Sequence, residues 1–321
     1  MAIRSFAILS VLISAVLAQS SSNPLIPSGI STSCTDYLTT LNNDADFSAC
    51  TSPFTTALQQ FAPGTNANNV STTAINNALD TLCSSSVFSA CPENVIRSQL
   101  SSFYAACSVE LTSTPNVDVK SMYDALFVLW PLKLAVCSKD DNAKYCAAEL
   151  GSSSGAVGNV AVVDPDQSRK QALLDNYLYS DANPIVAPSR RDVSNTTAAL
   201  IPNTTTYEAT NLVFLFLEPS MDTNSLCTTC TRNIITAYIT FESDCPYAPG
   251  MSNSLLLSGQ PALYANITSK CGVNFLSGAV QAAGGLSGGI LSGAAPRSIS
   301  QDVSVAVSAI LGAAALALAS F

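Results

Sequence analysis

The chain has no histidine, a single tryptophan and few charges: Asp, Glu, Lys and Arg together make up 11% of its 321 residues. Without histidine there is no Ser-His-Asp or Cys-His nucleophile, no HExxH zinc helix and no imidazole general base. Thirteen basic residues stand against 22 acidic ones, a net charge of −9. Nothing would neutralise phosphates, so nucleic acid is excluded as a partner. Hydrophobic residues make up 48%, which excludes a disordered acidic tail or a coiled coil and leaves material for a sizeable core. Catalysis would have to rest on carboxylates, and a glycosidase needs two. The six glutamates (Glu93, Glu110, Glu149, Glu208, Glu218 and Glu242) fall in no glycosidase pattern. The Asp-Thr-Gly of aspartic proteases is missing too. Asp80-Thr81-Leu82 and Asp222-Thr223-Asn224 lack its glycine. No EF-hand spacing surrounds Asp140-Asp141, which reads as a solvated pair. The reading is therefore no catalytic residue, no metal site and no cofactor.

Both ends carry addresses. Arg4 precedes an apolar run from Phe6 to Leu17, and Val16-Leu17-Ala18 offers the small residues of a cleavage site. This predicts a signal peptide over 1–18. At the other end 303–321 is uncharged, behind a polar spacer from Ala295 to Asp302 and the small trio Ser292, Gly293 and Ala294. That order predicts attachment of a glycosylphosphatidylinositol (GPI) anchor at Ser292, or alternatively at Gly293, with 293–321 removed. The outer leaflet of the plasma membrane is then the expected partner. Arg4, Arg297 and Asp302 leave with the ends, so 11 basic and 21 acidic residues remain over 19–292. Four sequons predict N-glycosylation at Asn69, Asn195, Asn203 and Asn266. Asn266 lies inside an expected helix.

Eleven cysteines indicate an oxidising compartment. Cys34, Cys50, Cys83, Cys91, Cys107, Cys137 and Cys146 form one group, and Cys227, Cys230, Cys245 and Cys271 another. Between them 151–205 is rich in Ser, Gly, Asn, Asp and Pro. The expected organisation is a first module at 19–150, an exposed linker at 151–205, a second module at 206–276 packing on the first, and a Gly/Ser/Ala stalk at 277–292. Seven is odd and four even. If no disulfide crosses the linker, the first module keeps a free thiol. If one crosses, the odd thiol lies in the second. Spacing does not choose, and pairing is not deducible from it. In the linker, Arg190-Arg191 is a candidate dibasic processing site.

The fold class expected is mainly α, a bundle of helices stapled by disulfides. Helical spacing joins Cys34, Tyr37, Leu38 and Leu41; Phe54, Ala57, Leu58 and Phe61, with Ser52 as N-cap and Pro53 in the first turn; and Ile75, Ala78, Leu79 and Leu82. Ile96, Leu100, Phe103, Tyr104, Cys107 and Leu111 make the clearest stripe, opened by Pro92. A further one runs from Val119 to Trp130 and is ended or kinked at Pro131. The second module offers Cys227, Cys230, Ile234, Tyr238 and Phe241 on one face, and Leu263, Ile267 and Cys271 after Pro261. Leu212 to Leu217 reads equally as strand or buried helix. Cys227-Thr-Thr-Cys230 has no strand before it, so a structural role is expected rather than a redox one.

The chain resembles fungal secreted, GPI-anchored, cysteine-rich proteins that carry a domain of unknown function. Tyr123-Asp124-Ala-Leu126 with Pro131-Leu132, Cys137, and Asp140-Asp141 through Tyr145-Cys146 carry the likeness. So do Cys227-x-x-Cys230, Tyr238, Ser258-Gly259-Gln260, Leu263-Tyr264 and Cys271-Gly272, and it covers 34–276. The resemblance implies a cell-surface or wall location and transfers no catalytic residue. The haem-binding CFEM type, with eight cysteines in one compact domain, departs from the seven-plus-four grouping. The expected function is a non-enzymatic surface or wall glycoprotein with a structural or interaction role, touching cell-wall glycan or surface proteins. Two alternatives stand beside it. One is a carrier of a small ligand (lipid or haem), favoured by a cavity lined by Tyr104, Tyr123 and Trp130. The other is a carboxylate-dependent glycan enzyme, favoured by two glutamates in one cleft.

Overall fold

A computed structural model describes residues 26–58, 72–148 and 204–276. It is helical, with no strand among the described residues and five disulfides. Helices α1 (Thr32–Asn42), α2 (Ala45–Leu58), α3 (Thr72–Leu82), α4 (Ser85–Ala90), α5 (Glu93–Ser108) and α6 (Val117–Cys137) come first. Then follow α7 (Thr204–Thr210), α8 (Thr223–Leu226), α9 (Thr229–Asp244) and α10 (Gln260–Cys271).

Local chemistry sets the boundaries. Ser31 caps α1 by accepting from the Cys34 amide. Asp44 Oδ1 accepts from the Asp46 and Phe47 amides and so opens α2. The expected start at Ser52-Pro53 is therefore too late. Phe47 and Cys50 extend the buried stripe of Phe54, Ala57 and Leu58. Pro53 has no amide to give to the Ala49 carbonyl, and Ser52 Oγ donates there instead, at 3.4 Å. Asn116 caps α6 through the Asp118 and Val119 amides. Asp222 and Thr228 cap α8 and α9 in the same way.

The central element is α6. Fifteen of its 21 residues are buried, on every side of the helix. It does not end at Pro131, which is itself buried, and it runs on to Cys137. A proline inside a helix costs about 3 kcal/mol, and continuous burial offsets it. Each buried Leu, Val or Phe contributes about 1.5–3 kcal/mol. On one side α6 meets α5, which in turn packs on α1. On the other it meets α9, with Phe127 edge-on to Phe241 at 5.2 Å. One continuous core runs from Cys34 to Leu276.

The ambiguous Leu212–Leu217 run is neither strand nor α-helix. Leu212–Phe214 is a 3-10 turn, followed by Leu215 and Phe216 at φ 54° and 64°. All six side chains are fully buried, so no periodicity marks the run. Left-handed backbone is unusual for such residues. It is held by the Phe216 amide on the Asn211 carbonyl, Asn211 Nδ2 on the Leu217 carbonyl, and Tyr238 Oη on the Val213 carbonyl. Gly259, ahead of α10, lies so close that a Cβ would sit 2.4 Å from Asn211 Oδ1.

The cysteine pairs are Cys34–Cys107, Cys50–Cys91, Cys83–Cys137, Cys146–Cys230 and Cys227–Cys271. The Cys146–Cys230 bond joins the two cysteine groups, and Cys245 is the free thiol. Of the two parity outcomes, this is the crossing one. Cys227 and Cys230 are not on one helix face, because Cys227 closes α8 and Cys230 lies in the first turn of α9.

Candidate functional site

A concavity lies where the two cysteine groups meet. Along α5, Ile96, Leu100, Phe103 and Cys107 face the core. Asn94, Arg97, Ser98, Ser101 and Tyr104 then line a groove of about 580 Å³. Its facing wall is the turn after α9, from Asp244 through Pro246 to Ala248, and Leu100 and Tyr123 form the floor. The Tyr123 ring is edge-on to Phe103 at 5.3 Å and to Tyr247 at 5.4 Å.

A buried carboxylate holds that facing wall. Asp124 on α6 is fully enclosed. It accepts from Tyr247 Oη, from Ser254 Oγ at 3.0 Å, and from the Leu255 and Leu256 amides at 2.6 and 3.1 Å. Burial pushes its pKa up to about 6, against the pull of these four donors. One carboxylate thus suspends the 247–256 segment from the central helix.

The groove carries little net charge. Arg97 lies 3.8 Å from Glu93, one turn away, and Asp244 is the carboxylate of the lining. The Cys245 thiol is half-buried there. Burial pushes its pKa up, Arg97 opposes this, and Glu93 and Asp244 add to it. It is therefore a protonated thiol at neutral pH, without the lowered pKa that marks a reactive cysteine.

Two other ionisable clusters lie in the interior. Lys133 is 4% exposed, and its Nζ makes no hydrogen bond. It sits over the rings of Phe88, Trp130 and Phe54, at 3.8, 3.9 and 4.5 Å from their centroids. Burial lowers its pKa to about 7, while the three ring faces favour the cation. Replacing it by methionine removes a buried charge and keeps the chain length. Lys133→Met is expected to stabilise the protein by about 1–2 kcal/mol at pH 6, and by less at pH 9, where the amine is already neutral. Urea melts at both values check this, and a destabilised variant at pH 6 would show that the rings outweigh the burial. The second cluster joins α9 to α10. Gln260 Nε2 donates to Glu242 Oε2 at 2.9 Å, and burial pushes Glu242 up to about 7.

Glu110 lies beside the Cys34–Cys107 sulfurs, all three ligand atoms within 4.8 Å. The sulfurs are bonded to each other, and Glu110 accepts the Ser31 amide at 2.6 Å. The cluster anchors the start of α1 and offers no free thiolate to a metal. Asp140 and Asp141 are also engaged locally. Asp140 accepts the Asn142 and Lys144 amides, and Asp141 accepts from Thr229.

Of the residues expected to line a ligand cavity, Tyr104 and Tyr123 share the groove, while Trp130 lies with Phe88 and Lys133. No two glutamates share this groove. Cys227 and Cys230 bond to Cys271 and Cys146, so their sulfurs do not face each other as a redox pair. Asn266 is half-exposed in α10 and donates to the Ala262 carbonyl. Asn69, Asn195, Asn203, Arg190, Arg191, Ser292 and Gly293 lie outside the described residues. Asp124 and Lys133 were not singled out as buried charges by sequence reasoning. Their signal is nevertheless present, as two charges bracketing the apolar run Ala125–Leu132.

No curated protein and no solved structure matches the chain. A family match covers 22–162, against the 34–276 over which the resemblance was read, and leaves the facing wall of the groove outside it. The part of the chain that supplies α1 to α6, with the Asp124 anchor and the Lys133 cage, thus carries a domain of unknown function (DUF7729), matched over residues 22–162.

Proposed function

We propose that the chain is a GPI-anchored glycoprotein of the fungal cell surface or wall, with a structural or interaction role and no catalytic centre. Five disulfides in a small helical core carry this reading, because such bonds persist where the environment is oxidising. The leader, the sequons and the C-terminal signal point to the same route. No helix among the described residues is long and apolar enough to cross a membrane. The interior charges support a structural role, since Asp124 and Glu242 have partners within the fold and Lys133 is caged by rings. The glycan-cleaving alternative lacks a carboxylate pair in the groove, where Asp244 is the carboxylate present. The ligand-carrying alternative keeps one observation in its favour, the groove walled by Tyr104 and Tyr123.

Treatment of intact cells with phosphatidylinositol-specific phospholipase C is expected to release a soluble glycosylated protein ending at Ser292 or Gly293. A protein that stays membrane-bound while a known GPI protein is released in parallel would overturn the anchor.

A further inference from the structure

Resting on the reading of an outward-facing surface protein, we infer that the groove between α5 and the turn after α9 is a binding site for a short neutral oligosaccharide. Its length is the first reason. Asn94 to Tyr104 spans ten residues of helix, about 15 Å, which suits a chain of rings laid along α5 rather than one compact molecule. At about 580 Å³ the groove is of ordinary ligand-site size.

Its chemistry is the second reason. The floor and one wall are apolar and partly aromatic (Leu100, Tyr104, Tyr123 and Pro246), while Asn94, Ser98 and Ser101 follow the groove as uncharged donors and acceptors. A sugar ring has this division, with C–H faces that pack on aromatic and proline surfaces and hydroxyls at its edge. The charges are the third. Arg97 has Glu93 at 3.8 Å, and Asp244 lies across from it. An anion would compete with two carboxylates, and a cation would face the guanidinium. A neutral, hydroxyl-rich ligand meets neither penalty and can accept from Arg97 while donating to Asp244. The open, polar rim also differs from the closed apolar tunnel an acyl chain needs. One wall comes from the family-matched segment and the other from the second cysteine group, so the site exists only where Asp124 and Cys146–Cys230 hold the two together.

Cys245 provides a built-in reporter, since its thiol lines the groove and is the free one. The full protein would be titrated with hexamers of glucose, mannose and N-acetylglucosamine while the rate of Cys245 alkylation by a small maleimide is followed by mass spectrometry. At least one hexamer is expected to slow alkylation tenfold or more at saturation, with no dependence on salt. Tyr104→Ala is expected to weaken that protection tenfold or more without shifting the melting temperature. Ser101→Trp, on the exposed side of α5, fills the groove and abolishes protection even if the tyrosine variant proves unstable. The inference is overturned if no neutral hexamer protects at millimolar concentration. It is equally overturned if only sulfated or uronic oligomers protect, if only an extended peptide does, or if protection survives both substitutions. Phospholipase release is independent of these outcomes. A released protein that ignores neutral glycans refutes the groove alone, and a retained one that binds them refutes the anchor alone.

Discussion

Asp124→Ala is expected to destabilise the protein by on the order of 5 kcal/mol and to release the 247–256 segment from α6 before anything else unfolds. The carboxylate is fully buried and receives four hydrogen bonds, two of them from backbone amides. Alanine leaves the Leu255 amide with no acceptor and the Leu256 amide with Ser254 Oγ alone, at 3.3 Å. Each unpaired buried donor costs about 1–3 kcal/mol. The four losses do not add in full, because water reaches part of the opened space. Even so, the total rivals the net stability of an ordinary domain, about 5–15 kcal/mol. The disulfides keep the modules joined, so the primary readout is local. Amide exchange at Leu255 and Leu256 should accelerate, and Cys245 should alkylate faster as its wall loosens. Asp124→Asn keeps one acceptor for the two amides and is expected to cost about half as much. Unchanged exchange at Leu255 and Leu256 in the alanine variant would show that the segment is held by something else.

Stability is expected to pass through a minimum near neutral pH. Asp124 and Glu242 have pKa values raised from 3.8 to about 6 and from 4.5 to about 7, both by burial. The folded state keeps protons that the unfolded chain has already released. Their contribution is therefore fully present below about pH 4 and is lost as pH rises to about 7. Lys133 runs the other way. Its pKa falls from 10.5 to about 7, so the unfolded chain holds more protons above neutrality and stability recovers between about pH 7 and 10. Each group contributes a slope of up to about 1.4 kcal/mol per pH unit within its window. At the acid end the sign reverses again at Glu110. Burial raises its pKa, but the Ser31 hydrogen bond prevails and leaves it lowered.

Glu242→Gln isolates the acidic limb. Glu242 Oε1 and Gln260 Oε1 are both buried acceptors without a donor. A protonated Glu242 can donate to the second while it accepts from Gln260 Nε2, and a glutamine can do the same at every pH. The variant is expected to match the parent at pH 5 and to exceed it by on the order of 2 kcal/mol at pH 8. The Tyr238 phenol, one turn earlier and itself pushed up by burial, stays neutral throughout. Equal destabilisation at both pH values would show that Glu242 is ionised in the folded protein.

Much of the helical frame was legible because burial on one face leaves a mark. Ile75, Ala78, Leu79 and Leu82 return as the inner face of α3, and Ile96, Leu100, Phe103 and Cys107 as that of α5. Legibility failed where burial is not one-sided. Across Leu212–Leu217 every side chain is enclosed, and along α6 fifteen residues are. The 3.6-residue rhythm is lost from Leu212 to Leu217 and blurs beyond Trp130 in α6, where proline is the remaining punctuation. Pro53 reads as a start and Pro131 as an end or a kink, although Ser52 Oγ and the surrounding core let both helices run through. The anchor at Asp124 was hidden for another reason. Its donors come from residues more than 120 positions away, a distance over which local pattern carries no information. The same holds for the cysteines. Counting limited where the odd thiol must lie, and only the packing of α9 on α6 brings Cys230 to Cys146.

The disulfides have a mechanical consequence. A chain pulled at Cys34 and Cys271 would, without crosslinks, have a contour of about 830 Å over those 237 positions. With them, the shortest covalent route runs from Cys34 to Cys107, back to Cys83, across to Cys137, on to Cys146, across to Cys230, back to Cys227 and out through Cys271, with Cys50–Cys91 giving an equal detour through α1 and α2. Only about 125 Å of backbone lies on that path. The remainder, including the whole of 149–203 and α9 beyond Cys230, is bypassed by covalent shunts and cannot be drawn out by force. Because Cys83–Cys137 shunts α6 as well, whatever load reaches the two ends is shared between α5 and the α1–α2 pair, and the central helix is spared.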